Sequence, residues 1–355
     1  MPEPWSQDAF CVDVGATLQR FLDERAAELA PLGEDAGRLL EAARLAVTGG
    51  KRLRAAFCWW GYLSVLGEVE DEPALLRAAG ALELLHASAL VHDDYLDASD
   101  TRRGQPATHK AFEARHAAEG WRGAGHQYGA AAAILLGDLL LSWSDGMLRT
   151  CGLPSDRVTP ALGVLDATRS EVITGQFLDV SAQARGGGDV ASAMRVLRYK
   201  SAKYSVERPL HLGASLAGAD GEHLAALSRF GLPLGEAFQL RDDLLGVYGD
   251  PALTGKPAGD DLTEGKRTVL VALALERADP ADASRLDAAL GQPLTAAEID
   301  ELRRVIDDSG ASAEVESRIR SLTEQALEAL DAAPVHEVAR TALRQLADAA
   351  TRRAR

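Results

Sequence analysis

Hydrophobic positions along this chain lack the strict alternation of half-buried strands and gather instead in long segments rich in Ala, Leu, Glu and Arg. Those residue types favour helix. The pattern predicts helices over about 13–31, 34–49, 52–66, 73–98, 128–151, 159–184, 190–204, 207–217, 221–248, 266–277, 295–308, 313–332 and 335–352, with ends good to about two to four residues. The expected fold class is therefore all-α. Asp71-Glu72-Pro73 reads as a helix start and Gly186-Gly187-Gly188 as a break. The least regular stretches are about 101–127, 185–189 and 249–265, and no long linker divides the chain.

With 355 residues, 46% of them hydrophobic, the chain can bury a substantial core. The longest apolar stretch, Ala130 to Leu141, is interrupted by Asp138 and is shorter than the roughly 20 residues that cross a bilayer, so it reads as a buried core helix. The opening MPEPWSQDAF has no basic start followed by an apolar run, so no leader and no stable membrane insertion are expected. A formal charge of −15 argues against nucleic acid as a general partner, because a polyanion meets repulsion over most of the surface. Cys11, Cys58 and Cys151 lie far apart with no CxxC pair. Neither a zinc site nor a disulfide framework is suggested, and a cytoplasmic setting fits.

Against this acidic background three charged constellations stand out. Asp93-Asp94-Tyr95-Leu96-Asp97 is a DDxxD run that ends an apolar segment, and Asp93 and Asp97 lie about 40° apart on a helix of 3.6 residues per turn. The same face, extended toward the N-terminus, carries Leu90, Ala89 and His86. Arg102-Arg103-Gly104 follows closely. Hard carboxylate oxygens beside guanidinium forks make a receptor for magnesium and diphosphate, although they could also simply pair with each other. A second copy of this grammar appears downstream. Gln239, Asp242, Asp243 and Gly246 share one helix face, followed by Gly255-Lys256, Asp260-Asp261 and Gly265-Lys266-Arg267. The third constellation, Gly49-Gly50-Lys51-Arg52-Leu53-Arg54, puts three cations in four residues near a helix start; an anion site is the economical reading, a solvated basic face the other.

On these residues the sequence resembles a trans-isoprenyl diphosphate synthase of the polyprenyl synthetase group. The likeness spans roughly residues 45 to 270: GGKRLR at 49–54, ELLHASALVHDDYLDASDTRRG at 83–104, TGQFLD at 174–179, YKSAKYSVERPL at 199–210, and FQLRDDLLGVYGD with TGKPAGDDLTEGKRT within 238–268. The resemblance implies a single large helical bundle around a central active-site cavity; one domain over 1–355 is expected, with a flexible N-terminus at about 1–12 and a basic tail at about 350–355 that either closes over bound diphosphates or, as chain ends commonly are, is loose. It implies that Lys51, Arg54, His86 and Arg103 hold the diphosphate of isopentenyl diphosphate. Asp93, Asp97 and Asp242, with Asp94 and Asp243 beside them, would ligate magnesium, three ions per site once substrate is bound. Arg102, Lys200 and Lys256 would hold the allylic diphosphate with Lys266 close by, while Ser201 and Gln239 offer oxygen dipoles to the allylic cation and Gln176 and Asp179 line the pocket. A homodimer is implied as well.

Ionising an allylic diphosphate requires neutralisation of the leaving group and shelter from water, which fits the cations and the apolar helices alike. In such families the residues four and five places before Asp93 act as the floor for the growing chain. Here they are Ala89 and Ser88, both small, so geranylgeranyl diphosphate is the expected product, with farnesyl or a longer chain as the alternative. The departure is Gly246, where many relatives carry an aspartate. Two other readings compete: a class I terpene cyclase, which would need a Ser/Thr-containing second metal motif, and a non-catalytic partner subunit, which would have lost motif aspartates or lysines.

Overall fold

A computed structural model describes residues 5–249 and 259–351. The described residues are almost wholly helical, with one two-residue antiparallel pair, Thr101–Arg102 (β1) against Gln105–Pro106 (β2), registered Thr101 to Pro106 and Arg102 to Gln105. The site is built mainly by five segments: α3 (Leu53–Leu66), α4 (Glu72–Leu96), α7 (Ser155–Arg185), a π-helical segment (Leu197–Glu207) and α10 (Gly221–Tyr248).

Helix α4 starts where its sequence says it should. The Asp71 carboxylate accepts from Ala74 N at 3.0 Å, and Pro73 sits in the first turn, where a missing N–H costs nothing. Most of its length is buried, chiefly against α6 (Gly125–Arg149). Both helices are long and apolar enough to cross a membrane; α4 turns most of its apolar surface to protein, whereas α6 leaves Ile134 and Leu135 exposed. Helices α3 and α9 (Arg208–Leu216) cross closely because each offers a glycine: a Cβ at Gly61 would lie 2.9 Å from Leu210 C, and one at Gly213 would lie 2.7 Å from Cys58 C. Two apolar clusters result. One joins α1 (Gln7–Leu29), α3, α4, α6, α7, α9 and the chain from Ala326 to Ala347; the other joins α8 (Val190–Val196), the π-helical segment and the helices between Asp260 and Leu322. Helix α10 contributes to both, so the cavity between them is walled by their junction.

Several elements differ from the sequence expectation. The first helix begins at Gln7, capped by Ser6, earlier than the expected start near residue 13, and Phe10 is buried against Trp59 at 5.5 Å between ring centroids. The stretch 101–127 holds the hairpin and a further helix, α5 (Thr108–Ala118), which buries His109, Phe112 and His116. The expected helix 190–204 divides into α8 and the π-helical segment. Beyond residue 260 come α11 (Asp260–Thr263), α12 (Val269–Arg277), the unexpected α13 (Pro280–Ala289), α14 (Ala296–Asp308), α15 (Ala311–Ala332) and α16 (Glu337–Thr351). Ala350 and Thr351, at the start of the basic tail, are buried in the last turn of α16, within the helix expected over 335–352.

Candidate active site

A cavity of ≈ 880 Å³ opens between α4, α7, α8, the π-helical segment and α10, and the loop at Gly50–Arg52 closes one end. Its lining combines the apolar side chains of Ala89, Leu90, Val172, Val196, Leu197 and Phe238 with a dense set of charged ones. Two acidic walls face each other there.

The first wall comes from α4. Asp93 accepts from Gln176 Nε2 at 2.9 Å and lies 3.4 Å from Lys200 Nζ, which also pairs with Asp179 at 2.5 Å. Burial alone would drive the charge off Lys200, but Asp93 and Asp179 hold its ammonium above the usual lysine range. The π-helical turn at Lys200 and Ser201 packs directly on Gly175 of α7, where a Cβ would meet Tyr199 C at 2.6 Å and Lys200 Cα at 2.8 Å. That close approach brings Gln176 and Asp179 within reach of Lys200.

Asp97 caps α4 and sits behind the cavity lining, 3.2 Å from Lys266 Nζ; burial and then the Asp93 carboxylate push it up to about 6. Asp94 departs from expectation. It projects away from Asp93, is buried, and receives Arg102 Nε at 2.8 Å and Arg102 Nη2, so it orders a cation instead of joining the metal face. One residue along a helix turns the side chain by about 100°, and here that rotation takes Asp94 off the stripe that carries Asp93.

The second wall comes from α10, where Gln239, Asp242, Asp243 and Gly246 all line the cavity. Gln239 donates to Asp243 at 2.9 Å. Burial still pushes Asp243 up to about 8, with the Asp261 and Asp242 carboxylates adding to the rise. Lys266 connects the two walls, lying 3.2 Å from Asp97, 3.6 Å from Asp261 and in contact with Glu264. Although burial opposes its charge, Asp261, Asp97 and Glu264 keep it well above the usual lysine range. Lys256 lies outside the described residues.

The basic end collects Lys51, Arg54, His86, Arg102 and Arg103 on the cavity lining. Arg54 lies over the Tyr204 ring at 4.2 Å and donates to Ser205 Oγ at 2.8 Å, while the Tyr204 hydroxyl meets His86 Nδ1 at 2.9 Å. Burial, then Arg54, Arg103 and Arg102, drive His86 well below the usual imidazole range, leaving it neutral beside a cationic cluster. Arg103 hydrogen-bonds to Thr48 O and is itself lowered, first by burial and then by Arg52 and Arg102. Four cations around a neutral imidazole form a site that wants an anion.

Sequence reasoning assigned no role to Arg52, Glu83 or Tyr204, although each lies inside a quoted motif. Arg52 adopts a left-handed backbone, φ 51°, at the start of α3, and its buried guanidinium donates to Glu83 Oε2 at 3.0 Å and to Val47 O. The other oxygen of Glu83 accepts from Ala55 N at 3.3 Å. This pair anchors the loop that presents Lys51 and Arg54. Of the two chain-length candidates, Ala89 lies on the cavity lining, whereas Ser88 is buried in the helix packing and does not.

The family model described as Polyprenyl synthetase matches residues 37–308. In sequence, the chain is 32% identical over 289 residues to a geranylfarnesyl diphosphate synthase of Aeropyrum pernix, covering 81% of this chain and 84% of that one. It is also 32% identical over 303 residues to a geranylgeranyl diphosphate synthase of Mycobacterium tuberculosis, covering 84% of this chain and 80% of that one. Among solved structures, the geranylgeranyl pyrophosphate synthase of Corynebacterium glutamicum, complexed with isoprenyl diphosphate and magnesium, matches with a TM-score of 0.96 and 41% identity over 99% of this chain and 100% of that chain.

Proposed function

The chain belongs to the polyprenyl synthetase family, and on that premise we propose that it joins isopentenyl diphosphate head-to-tail to an allylic diphosphate, with geranylgeranyl diphosphate as its product. The observation that carries this reading is the joining of two charged subsites over one apolar cavity. Facing acidic walls tied together by buried lysines stand at one side, and at the other a cluster of Arg, Lys and neutral His in which Arg102 is paired with Asp94.

Among the described residues no three carboxylate, imidazole or thiol side chains converge as a ready-made metal cage. The donor set nevertheless fits magnesium, which is commonly held by one or two carboxylates plus substrate phosphate oxygens. Asp93, Asp97 and Asp242 would hold it, three ions with substrate bound; Asp97 and Asp243 are raised first by burial and then by neighbouring carboxylates, and the latter repulsion is one a divalent cation relieves. When bound, magnesium supplies positive charge that neutralises a leaving diphosphate.

The chain's own groups do the rest. Lys200, Arg102, Lys266 and Lys256 hold the allylic diphosphate, and Lys51, Arg54, His86 and Arg103 hold that of the isopentenyl partner. The allylic C–O bond breaks, the terminal alkene carbon bonds to the allylic carbon, and a proton leaves the neighbouring carbon for the departing pyrophosphate. Ser201 and Gln239 turn oxygen dipoles toward the cationic carbon, and the apolar lining keeps water from it. Ala89 leaves room below Asp93 for a chain longer than farnesyl. The second reading, a product one unit longer, is favoured by the same small residue and by the similarity to a geranylfarnesyl synthase.

The protein is further proposed to act as one domain over 1–355, in the cytoplasm, and as a homodimer. Large apolar side chains left in the open on α6 (Ile134, Leu135) and α7 (Ile173, Phe177) support the last, and three unpaired cysteines support the compartment. Incubation with Mg²⁺, isopentenyl diphosphate and each of the dimethylallyl, geranyl and farnesyl primers, with products identified by mass, tests the reading. A geranylgeranyl end product is expected, and no elongation of any primer by folded protein would overturn the assignment.

A further inference from the structure

Gly246 follows Asp242 and Asp243 by one turn on the cavity face of α10, so a side chain there would project into the acidic wall. That space is already taken. A Cβ built at Gly246 falls well inside contact distance of the Asp261 carboxylate, reaching Oδ2 and Cγ and lying 2.9 Å from Oδ1. Asp261 is buried, and its placement is set by packing around α11. Gly259, which starts α11 in a left-handed conformation, lies where a Cβ would be 2.7 Å from Ile299 Cγ2 of α14. Leu262 is fully buried, and its carbonyl accepts from Gly291 N at 3.0 Å. The carboxylate is therefore delivered to α10 from a part of the chain with its own anchors, and Lys266 sits 3.6 Å from it on the side facing Asp97.

We infer that Gly246 and Asp261 form a complementary pair: Asp261 supplies through space the carboxylate that α10 lacks, and the glycine is the recess that admits it. Gly246 is then a requirement of this site, and an aspartate there evicts Asp261 and pulls Lys266 off its bridge. Asp261 acts as a positioning and charge-completing residue for a magnesium–diphosphate ligand. The activity arm of its test rests on the prenyl-transfer reading, whereas the binding arm does not.

The test compares Gly246→Ala, Gly246→Asp, Asp261→Asn, Asp261→Gly and the double variant Gly246→Asp with Asp261→Gly. Two readouts are taken: kcat/KM for elongation, and the Mg²⁺-dependent rise in Tm caused by inorganic pyrophosphate. Gly246→Ala, Gly246→Asp and Asp261→Asn are each expected to lose about tenfold or more in kcat/KM and most of the thermal shift. In the double variant, Asp261→Gly vacates the space, and at least about tenfold of the loss is expected to return, the mark of coupled sites. A Gly246→Asp variant as active as the parent, or a double variant that merely adds both losses, would overturn the pairing. If Gly246→Asp does not fold, the double variant is compared with Asp261→Gly alone: better supports the inference, equal or worse overturns it. A parent that makes no prenyl product removes the functional reading and leaves the thermal shift to decide. A parent with no magnesium-dependent shift overturns the pairing too.

Discussion

Replacing Glu83 by glutamine removes one negative charge from a pair in which both side chains are under one-tenth exposed, Arg52 at 7% and Glu83 at 4%. The amide oxygen can still accept from Ala55 N, now 3.3 Å from Glu83 Oε1, but the amide NH₂ then faces the Arg52 guanidinium that now donates at 3.0 Å. Two donors confront each other and a buried cation loses its counter-charge, a change that costs about 3–5 kcal/mol. Arg52 also holds a left-handed backbone, φ 51°, a conformation worth about 1–3 kcal/mol of strain that persists only while its surroundings enforce it. Once released, residue 52 relaxes and Lys51 loses its aim. Urea denaturation should lose about 3–5 kcal/mol at unchanged slope, and steady-state kinetics should raise KM for isopentenyl diphosphate by about tenfold or more, with kcat changed by less than about threefold. The double variant Arg52→Met with Glu83→Leu separates the two effects. An apolar pair of similar volume is often neutral for stability, so the urea midpoint returns toward the parent while KM stays high. A stability loss below about 1 kcal/mol for Glu83→Gln would refute the buried-charge argument. A loss of stability with KM unmoved would refute the positioning role.

Three further outcomes follow from the same geometry. Asp243 is pushed up to about 8 from 3.8, so across that interval the native protein holds a proton that the unfolded chain does not, and stability falls as pH rises, by up to about 1.4 kcal/mol per unit. His86 is lowered and contributes in the opposite sense, but only below its ordinary value of 6.5, so urea midpoints at pH 7 and pH 8 in chelator isolate Asp243; Asp243→Asn should flatten the difference, and an unchanged slope would count against it. Lys200→Gln leaves Asp93 and Asp179 without their shared cation and should lower kcat by about 10²–10³-fold with the fold intact by circular dichroism; a tenfold effect or less would remove Lys200 from diphosphate stabilisation. Ala89→Phe fills the cavity beneath Asp93 and should shift the product toward farnesyl diphosphate by mass, whereas Ser88→Phe, directed into helix packing, should destabilise without an equivalent shift.

The long helices were legible because their signals are local. Asp71-Glu72-Pro73 capped α4 as read, and the stripe of His86, Ala89, Leu90 and Asp93 lies on one cavity wall. The stretch that became α5 was read as irregular, since its polar residues show no clear stripe. It is helical because Phe112, His109 and His116 bury against neighbouring structure, a tertiary gain that outweighs weak local preference. The π-helical segment was invisible for a similar reason. Its geometry accompanies the backbone-to-backbone approach at Gly175, more than twenty residues earlier in the chain.

Sequence by itself determined the inventory of this protein: all-helical architecture, two aspartate runs ending apolar helices, a basic loop before α3, and the family those motifs mark. These follow from spacing, because 3.6 residues per turn decides which neighbours share a face whatever surrounds the helix. Tertiary structure decided the pairings: Arg102 with Asp94 rather than Asp94 on the metal face, Arg52 with Glu83, Lys266 across both walls, and Asp261 in the recess of Gly246. An ion pair depends on a separation of a few ångströms and on the loss of water around it, and neither exists until distant segments of the chain have packed together.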